Sequence, residues 1–199
     1  MGFTLDPARD ALVIVDVQND FCPGGALAVP DGNRVVPVLN GYAERFARDG
    51  APVFASRDWH PVRTKHFKAY GGVWPPHCVQ GTRGAEFHPE LRLPAGTEVV
   101  SKGMDPETDA YSCFQAETPD GLPFAAALGE RGAGRLFVGG LATDYCVKAT
   151  ALDALKEGFE VVVLEDAVAA VDLAAGDGAR ALADMTRAGA LLARFTDLR

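Results

Sequence analysis

The chain has 199 residues, of which 48% are hydrophobic and 23% are charged. This balance is ordinary for a globular protein and excludes disordered and fibrous classes, and the length suits one domain, residues 1–199, with a substantial core. Its 19 basic and 27 acidic residues give a net charge of −8 at pH 7, which argues against nucleic acid or an anionic membrane surface as a partner.

The cellular compartment is indicated by features that the sequence lacks. There is no basic segment followed by a long apolar region, and no apolar run is long enough to span a bilayer. The four cysteines are widely spaced and form no C-x-x-C pair, so free thiols are favoured over a disulfide framework. The sequence therefore predicts a cytoplasmic protein.

Apolar runs typical of buried strands alternate with segments of helical spacing along most of the chain. Continuous Val/Ile/Leu runs joined by helices predict a three-layer, Rossmann-like α/β fold, in which helices cover both faces of a parallel sheet. In chain order we expect a strand at 11–17, a helix at 33–48, strands at 51–56 and 97–102, a helix at 122–131, a strand at 135–139, a helix ending at about 157, a strand at 159–164, a helix at 174–188 and a strand at 190–195.

The stretch 136–155, LFVGGLATDYCVKATALDAL, is typical of a strand, a tight turn and a helix. Thr143 or Asp144 is the expected N-cap, which places Cys146 in the first helical turn. Free backbone N–H groups and the positive end of the helix dipole stabilise an anion there, so we expect a lowered pKa for this thiol and a nucleophilic role. The alternative is a small buried residue that only packs the helix.

Two charged residues stand at the ends of other predicted strands. Asp16 stands where the apolar run Leu12-Val13-Ile14-Val15 of the first strand breaks, and Lys102 ends the third strand. Since parallel strands present their sites beyond their carboxyl ends, one crevice is expected to collect both side chains together with Cys146. A nucleophile, a proton acceptor and a fixed cation are what acyl transfer through a thiolate requires. Taken alone, the aspartate is typical of a turn and the lysine of a solvated surface.

The connection at about 58–94 is too long for an ordinary loop, and we interpret it as a functional insertion. It begins with Asp58 and His60, whose spacing in an extended segment points both side chains to one side. With His66 and His77 they form a set that suits zinc, iron or manganese. The alternative for each histidine is a loop residue satisfied by backbone groups, and the fourth histidine is interpreted as structural.

The segments VDVQNDFCPGGAL, RDWHP, WPPHCVQGTRGAEFHP and GLATDYCV, with Lys102 at a strand end, occur in this order along nearly the whole chain. Together they resemble the nicotinamidases, also described as pyrazinamidases, of the isochorismatase-like cysteine hydrolases. The resemblance implies a six-stranded parallel sheet and hydrolysis of nicotinamide to nicotinate and ammonia in NAD salvage, with pyrazinamide as a second substrate. It is compatible with monomers and with homo-oligomers, so it leaves the assembly open.

The resemblance also implies roles for individual residues. Asp16, Lys102 and Cys146 match the catalytic triad, and one divalent transition metal ion is expected, with zinc favoured over iron or manganese. The further matches are Asp58, His60 and His77 as metal ligands, His66 where some members have a ligand His and others a Glu, Phe21 and Trp74 as aromatic walls, Tyr111 near the pocket, and a cis peptide bond between Leu141 and Ala142.

The mechanism expected from these roles is covalent. Asp16 takes the thiol proton, Cys146 attacks the carboxamide carbon, and the backbone N–H groups of Ala142 and Cys146 form the oxyanion hole. Lys102 stabilises the thiolate, ammonia leaves, and water releases the acid from a thioester. Two alternatives remain open: a related cysteine hydrolase acting on an N-carbamoyl or ureido substrate, which needs no metal cluster, and a non-catalytic metal- or ligand-binding protein on the same fold.

Overall fold

Strands and helices alternate along the chain in the computed structural model, which describes residues 2–199. Within these residues, no helix combines the length and the apolar character needed to cross a membrane. The strands are β1 (Asp10–Val15), β2 (Val53–Asp58), β3 (Glu98–Lys102), β4 (Arg135–Leu141), β5 (Glu160–Ala169) and β6 (Leu191–Ala193), and the α-helices are α1 (Val35–Arg48), α2 (Phe124–Glu130), α3 (Lys148–Lys156) and α4 (Asp177–Ala188).

The six strands form one sheet in the order β3-β2-β1-β4-β5-β6. Every neighbouring pair is parallel, which confirms the predicted three-layer α/β fold. The chain builds outward from β1 to β3 and then returns to place β4 on the other side of β1. At such a reversal the carboxyl ends of the two adjacent strands open into a crevice, which is where parallel sheets bind ligands.

The core lies on both faces of β1, whose residues are all buried. Leu12 and Ile14 belong to one apolar cluster with Leu39 and Phe46 of α1. Val13, which points to the opposite face, belongs to a second cluster with residues of α2, α3 and α4. Packing on both faces fixes the position of β1. It therefore also fixes the point at which the chain leaves this strand and enters the crevice.

The segment after β4 differs from the prediction in how its helix begins. Thr143–Val147 forms a π-helical turn, and α3 follows it. Asp144 lies inside this turn, and its carboxylate accepts hydrogen bonds of 2.9 Å from the backbone N–H groups of both Val171 and Asp172. The predicted N-cap at Thr143 or Asp144 was therefore wrong, because the aspartate binds the loop after β5 and not its own helix.

A close approach between β4 and β1 requires glycine at one position. Gly140 has a φ of +126°, and a Cβ atom added to it would lie 2.1 Å from the carbonyl oxygen of Val15. The pairing of β4 with β5 also shifts register between Val138 and Gly140. The extra residues of this irregularity belong to β5, which advances from Val163 to Val168 while β4 advances from Val138 to Gly140.

Between β2 and β3 the described chain forms only two short 3-10 turns, Lys68–Tyr70 and Arg83–Ala85. Isolated bridges hold this long connection, including one between His60 and Val79. The backbone N–H of His60 donates 3.0 Å to the carbonyl of Cys78, which ties the start of the connection to its middle. This is the stretch in which the sequence predicts the histidine cluster.

Candidate active site

Four buried side chains come together where the central strands end. Asp16 follows β1, Asp58 ends β2 and Lys102 ends β3, while Cys146 lies in the π-helical turn after β4. None of the four is more than 6% exposed. The structure thus places the three residues of the predicted triad in one group, and one predicted metal ligand lies among them.

Lys102 is the charged centre of this group. Its Nζ donates a hydrogen bond to Asp58 Oδ1, lies 2.9 Å from Asp16 Oδ2 and lies 3.5 Å from Cys146 Sγ. Burial lowers the pKa of a lysine, but the neighbouring carboxylates outweigh it and raise the pKa of Lys102 well above its usual value. The ammonium group therefore stays charged beside the sulfur.

The carboxylate of Asp16 is turned into the crevice. Its Oδ1 accepts a hydrogen bond of 2.7 Å from the Ser56 hydroxyl. Its Oδ2 is buried and accepts no well-oriented hydrogen bond within residues 2–199, because the contact with Lys102 is an ion pair without hydrogen-bond geometry. Burial raises the pKa of Asp16, and this exceeds the lowering by Lys102. A carboxylate oxygen that is held only by this ion pair and belongs to a group of raised pKa suits a residue that accepts a proton and returns it.

Cys146 lies against this proton acceptor but lacks the lowered pKa that a helix start predicts. Its sulfur and a carboxylate oxygen of each of Asp16 and Asp58 lie within 4.8 Å of one another. Burial raises the pKa of the Cys146 thiol well above its usual value, and this outweighs the lowering by Lys102. The expectation of a lowered pKa was therefore wrong, because enclosure of the sulfur dominates. A base has to remove the thiol proton.

The predicted metal-ligating histidines form one cluster, in which a ring nitrogen of each lies within 4.8 Å of those of the other two. In every one of them the Nδ1 atom has an oxygen partner. Such a partner holds the proton on Nδ1 and leaves the lone pair of Nε2 for a metal ion. The partners are the carbonyl of Gly103 for His60 at 3.0 Å, Asp109 Oδ1 for His66 at 2.6 Å and the carbonyl of Pro75 for His77 at 2.8 Å.

Asp58 lies beside two of these histidines. Its Oδ2 lies 3.6 Å from His60 Nε2 and 3.9 Å from His77 Nε2, near the roughly 3.4 Å that separates two ligand atoms in a tetrahedral zinc site. His60 Nε2 is buried without a hydrogen-bond partner within the described chain. Burial lowers the pKa of His77 to about 4 and also lowers the pKa of His66, which favours the neutral form that binds metals. The residues fit a divalent metal ion.

A pocket enclosing roughly 400 Å³, part of it open to solvent, lies beside the cysteine and the histidine cluster. Trp74 forms part of its wall, and the Nε1 atom of this residue donates a hydrogen bond of 2.8 Å to the Tyr111 hydroxyl. The same indole packs edge-on against Tyr145, with 5.1 Å between ring centroids. The pocket is lined by all three predicted substrate-binding residues, Phe21, Trp74 and Tyr111, and also by Ala142, Tyr145 and Val171.

The chain reaches the pocket through a cis peptide bond between Leu141 and Ala142, as the resemblance implies. Ala142 and Cys146 both line the pocket. The carbonyl of Ala142 accepts hydrogen bonds of 3.1 Å from the backbone N–H groups of Tyr145 and Val147. These two bonds close the turn that carries Cys146.

Comparison with known proteins places the chain in a family. Residues 10–196 match the isochorismatase domain. The chain belongs to the isochorismatase family. The nicotinamidase of Escherichia coli (strain K12) is 40% identical to it, over 94% of this chain and 95% of that protein.

Solved structures of the isochorismatase family share the fold. Pyrazinamidase of Pyrococcus horikoshii in complex with zinc superimposes with a TM-score of 0.87 and 45% identity, over 94% of this chain and 99% of that chain. PnC1 from L. infantum in complex with nicotinate superimposes with a TM-score of 0.90 and 37% identity, over 100% of this chain and 99% of that chain. The predicted isochorismatase-like architecture is confirmed.

Sequence reasoning missed several residues that support this isochorismatase-family site. Ser56 of β2 holds the proton acceptor, and Asp109 holds one histidine. Gln18 accepts a hydrogen bond of 2.8 Å from the backbone N–H of Asp58 and donates one of 2.8 Å to its carbonyl. The alternation of β2 puts Ser56 and Asp58 on one face, which was a usable signal for the serine. Isolated polar residues such as Asp109 and Gln18 carry no such signal.

Proposed function

We propose that this protein is a metal-dependent amidase that hydrolyses nicotinamide to nicotinate and ammonia through a cysteine thioester, and that it also accepts pyrazinamide. One observation carries the proposal: the sulfur beside Lys102 and the three-histidine cluster adjoin the same aromatic-walled pocket. The names of its relatives support the reaction, since an E. coli relative is a nicotinamidase and the L. infantum protein was solved with nicotinate.

The first step is removal of the thiol proton by Asp16. The proton moves from Cys146 Sγ to Asp16 Oδ2, the buried carboxylate oxygen that is paired only with the Lys102 ammonium group. Lys102 keeps its own proton and stabilises the thiolate from 3.5 Å. The transfer moves one negative charge between two groups that share the same buried site, so no new charge has to be created there.

The thiolate then attacks the substrate. Cys146 Sγ forms a bond to the carboxamide carbon, and the π electrons of the carbonyl move to its oxygen. We assign that oxyanion to the backbone N–H groups of Ala142 and Cys146, where loss of one such donor costs ~10²–10³ in rate. Asp16 gives its proton to the nitrogen, the C–N bond breaks with its electrons on ammonia, and a thioester remains.

Hydrolysis of the thioester regenerates the enzyme. Asp16 takes a proton from a water molecule, whose oxygen attacks the thioester carbon. The C–S bond breaks with its electrons on sulfur, the proton on Asp16 returns to Cys146, and the acid leaves as nicotinate after losing its own proton to solvent. One carboxylate therefore serves as base and acid in both halves of the reaction.

The lining of the pocket favours a flat, uncharged ring over an N-carbamoyl amino acid. Phe21, Trp74 and Tyr111 provide aromatic surfaces for a pyridine or pyrazine ring. Within residues 2–199, no lysine or arginine lines the pocket. A substrate carboxylate would lose its hydration there without gaining a lysine or arginine partner, which is costly.

Asp58, His60, His66 and His77 would hold the divalent ion, and we propose zinc, with iron and manganese as the alternatives. Three imidazoles and a carboxylate are a common ligand set for zinc. When bound, the ion supplies a Lewis acid beside the pocket, for which a pyridine nitrogen is a suitable ligand. The P. horikoshii relative was solved in complex with zinc, which supports this choice.

We also infer a single domain, residues 1–199, with a metal-binding insertion at about 58–94, acting in the cytoplasm. The four cysteines are free and buried, which is typical of a reducing compartment. The net charge of −8 is unfavourable for binding nucleic acid or an anionic membrane. Light scattering after size-exclusion chromatography will decide between a monomer and a homo-oligomer.

The proposed function is tested by ammonia release from nicotinamide on protein of known metal content, before and after chelation. Benzamide is the matched control, because it differs only by lacking the ring nitrogen. We expect release from nicotinamide alone, lost on chelation and restored by zinc. A metal-replete protein that releases no ammonia would refute the assignment. Turnover of a ureido compound instead would then indicate a carbamoyl hydrolase, and ligand binding without turnover would indicate a binding protein.

A further inference from the structure

The loop after β3 carries an aspartate that contacts the histidine cluster from outside the ligand set. Asp109 Oδ1 lies 2.6 Å from His66 Nδ1. The aspartate side chain is 57% exposed, whereas that of the histidine is 4% exposed. An exposed carboxylate therefore reaches a buried ring of the histidine cluster.

His66 differs from the other two histidines in how its ring is held. The carbonyls of Gly103 and Pro75 orient His60 and His77, so backbone groups fix both rings. For His66 the acceptor is a side chain. Of the three rings, only that of His66 can therefore lose its Nδ1 partner through a single side-chain substitution outside the ligand set.

The backbone around Asp109 is attached on both sides, so the carboxylate has a defined position. On one side, the carbonyl of Pro106 accepts a hydrogen bond of 2.8 Å from the backbone N–H of Lys65, which precedes His66 in the chain. On the other side, the Gln115 side-chain amide donates one of 3.1 Å to the carbonyl of Asp109. The loop is thus fastened directly to the segment that carries the histidine.

We propose that Asp109 is a positioning residue for the metal site: by accepting the Nδ1 proton of His66, it holds Nε2 of this ligand towards the ion and thereby sets the affinity for zinc. A carboxylate on the distal nitrogen fixes the tautomer and the ring orientation and makes the imidazole a stronger donor. The inference rests on the metal site of the proposed function and adds a determinant of how tightly that site binds.

The test compares zinc affinity, measured by competition with a chromogenic chelator, among three variants of Asp109 and the parent protein. Removal of an outer partner of this kind weakens metal binding by roughly 10–100-fold, so we expect a loss of this size for Asp109→Ala. Asp109→Asn keeps an acceptor oxygen without the charge and should lose less. Asp109→Glu, which restores the carboxylate on a longer side chain, should recover part of the affinity.

Asp105→Asn is the matched control, because it removes the same charge from the same loop. Asp105 accepts hydrogen bonds from the backbone N–H of Glu107 at 2.9 Å and from the Thr108 hydroxyl at 2.8 Å, both within the loop. Since a charge in water is screened over about 10 Å, its removal should change zinc affinity by no more than about twofold. An equal loss in both asparagine variants would show that only net charge matters and would overturn the proposal.

Two readouts separate positioning from a merely structural role. The visible absorption bands of the cobalt(II)-substituted protein should shift in Asp109→Ala and stay unchanged in Asp105→Asn, because they report ligand geometry. The urea midpoint of the metal-free protein should be the same in both. Unchanged zinc affinity in Asp109→Ala, or a loss explained by a less stable metal-free protein, would overturn the proposal.

These measurements use no substrate, so their outcome is independent of whether nicotinamide is hydrolysed. A parent protein that binds zinc but does not release ammonia would refute the proposed reaction and leave the role of Asp109 intact. A parent protein that binds no zinc would overturn the inference together with the metal site.

Discussion

Lys102 Nζ lies 3.5 Å from Cys146 Sγ, in a site where both residues are buried. The same ammonium group is paired with the carboxylates of Asp16 and Asp58. It therefore joins Asp16, the proposed proton acceptor, to Asp58, a proposed metal ligand. One cation compensates two buried carboxylates, and in the proposed mechanism it also stabilises the Cys146 thiolate.

Replacing this cation should abolish activity and destabilise the protein. In Lys102→Met, the carboxylates of Asp16 and Asp58 remain buried without their partner, and breaking a buried ion pair costs roughly 3–5 kcal/mol. We expect a loss of this size in the free energy of unfolding, measured by urea denaturation, and no detectable ammonia release.

The control for that variant is Lys148→Met. Lys148 pairs with Asp184 at 2.7 Å, and both side chains are about one-third exposed. Surface pairs contribute roughly 0–1 kcal/mol, so this variant should stay close to the parent protein in stability and in turnover. A Lys102→Met protein that is equally stable would contradict the role given to the buried cation.

Asp16→Asn removes the proton acceptor while the shape of the side chain is kept. The amide oxygen can still accept the Ser56 hydrogen bond, which is 2.7 Å long in the parent protein, but an amide does not take the thiol proton. Because a positioned acid–base group contributes ~10²–10⁴-fold to rate, we expect kcat for nicotinamide to fall by a factor in this range. Zinc content, measured on the same sample, should not change. Near-normal turnover would show that another group accepts the proton.

The metal-free protein should lose stability in mild acid because of His77. Its folded pKa is lowered by burial from 6.5 to about 4. Between these values the unfolded state binds the proton and the folded state does not, so stability is complete above pH 6.5 and falls as the pH drops to about 4. The full loss from this one residue is about 3 kcal/mol.

Chelator-treated protein and its His77→Gln variant, unfolded in urea across this pH range, provide the measurement. The difference in unfolding free energy between them should change with pH, since the variant has no proton to gain at that position. A difference that is constant from neutral pH to pH 4 would mean that His77 has an ordinary pKa in the folded protein.

Site residues could be predicted from the sequence where a charged or reactive side chain stands at the end of an apolar strand. Asp16 and Lys102 follow apolar runs that form β1 and β3, and parallel strands bring such ends to one edge. The histidines of the long connection were recognisable as a cluster because three of them stand close together in the chain. Periodicity and spacing along the sequence were sufficient for these features.

Other features depend on contacts between distant segments, which periodicity does not report. The helix start at Thr143 or Asp144 was predicted from local propensity, but the aspartate binds the loop after β5. The lowered pKa of Cys146 was inferred from its position in a turn, whereas enclosure by the surrounding chain decides it. Asp109 was not predicted, since its role depends on a loop that folds against His66.

In the proposed mechanism Cys146 carries the acyl group, and rapid acid quench of the protein during turnover of nicotinamide traps this intermediate. Intact-mass analysis and peptide mapping should find one nicotinoyl group on Cys146. Cys146→Ala should show neither the adduct nor ammonia release, while still binding zinc.

The control variant is Cys113→Ala. Cys113 is fully buried, and burial raises its pKa to about 11, so its removal should leave the adduct in place. We expect the acyl group to be found on Cys146 alone. Continued ammonia release by Cys146→Ala, or an acyl group on any other residue, would contradict it.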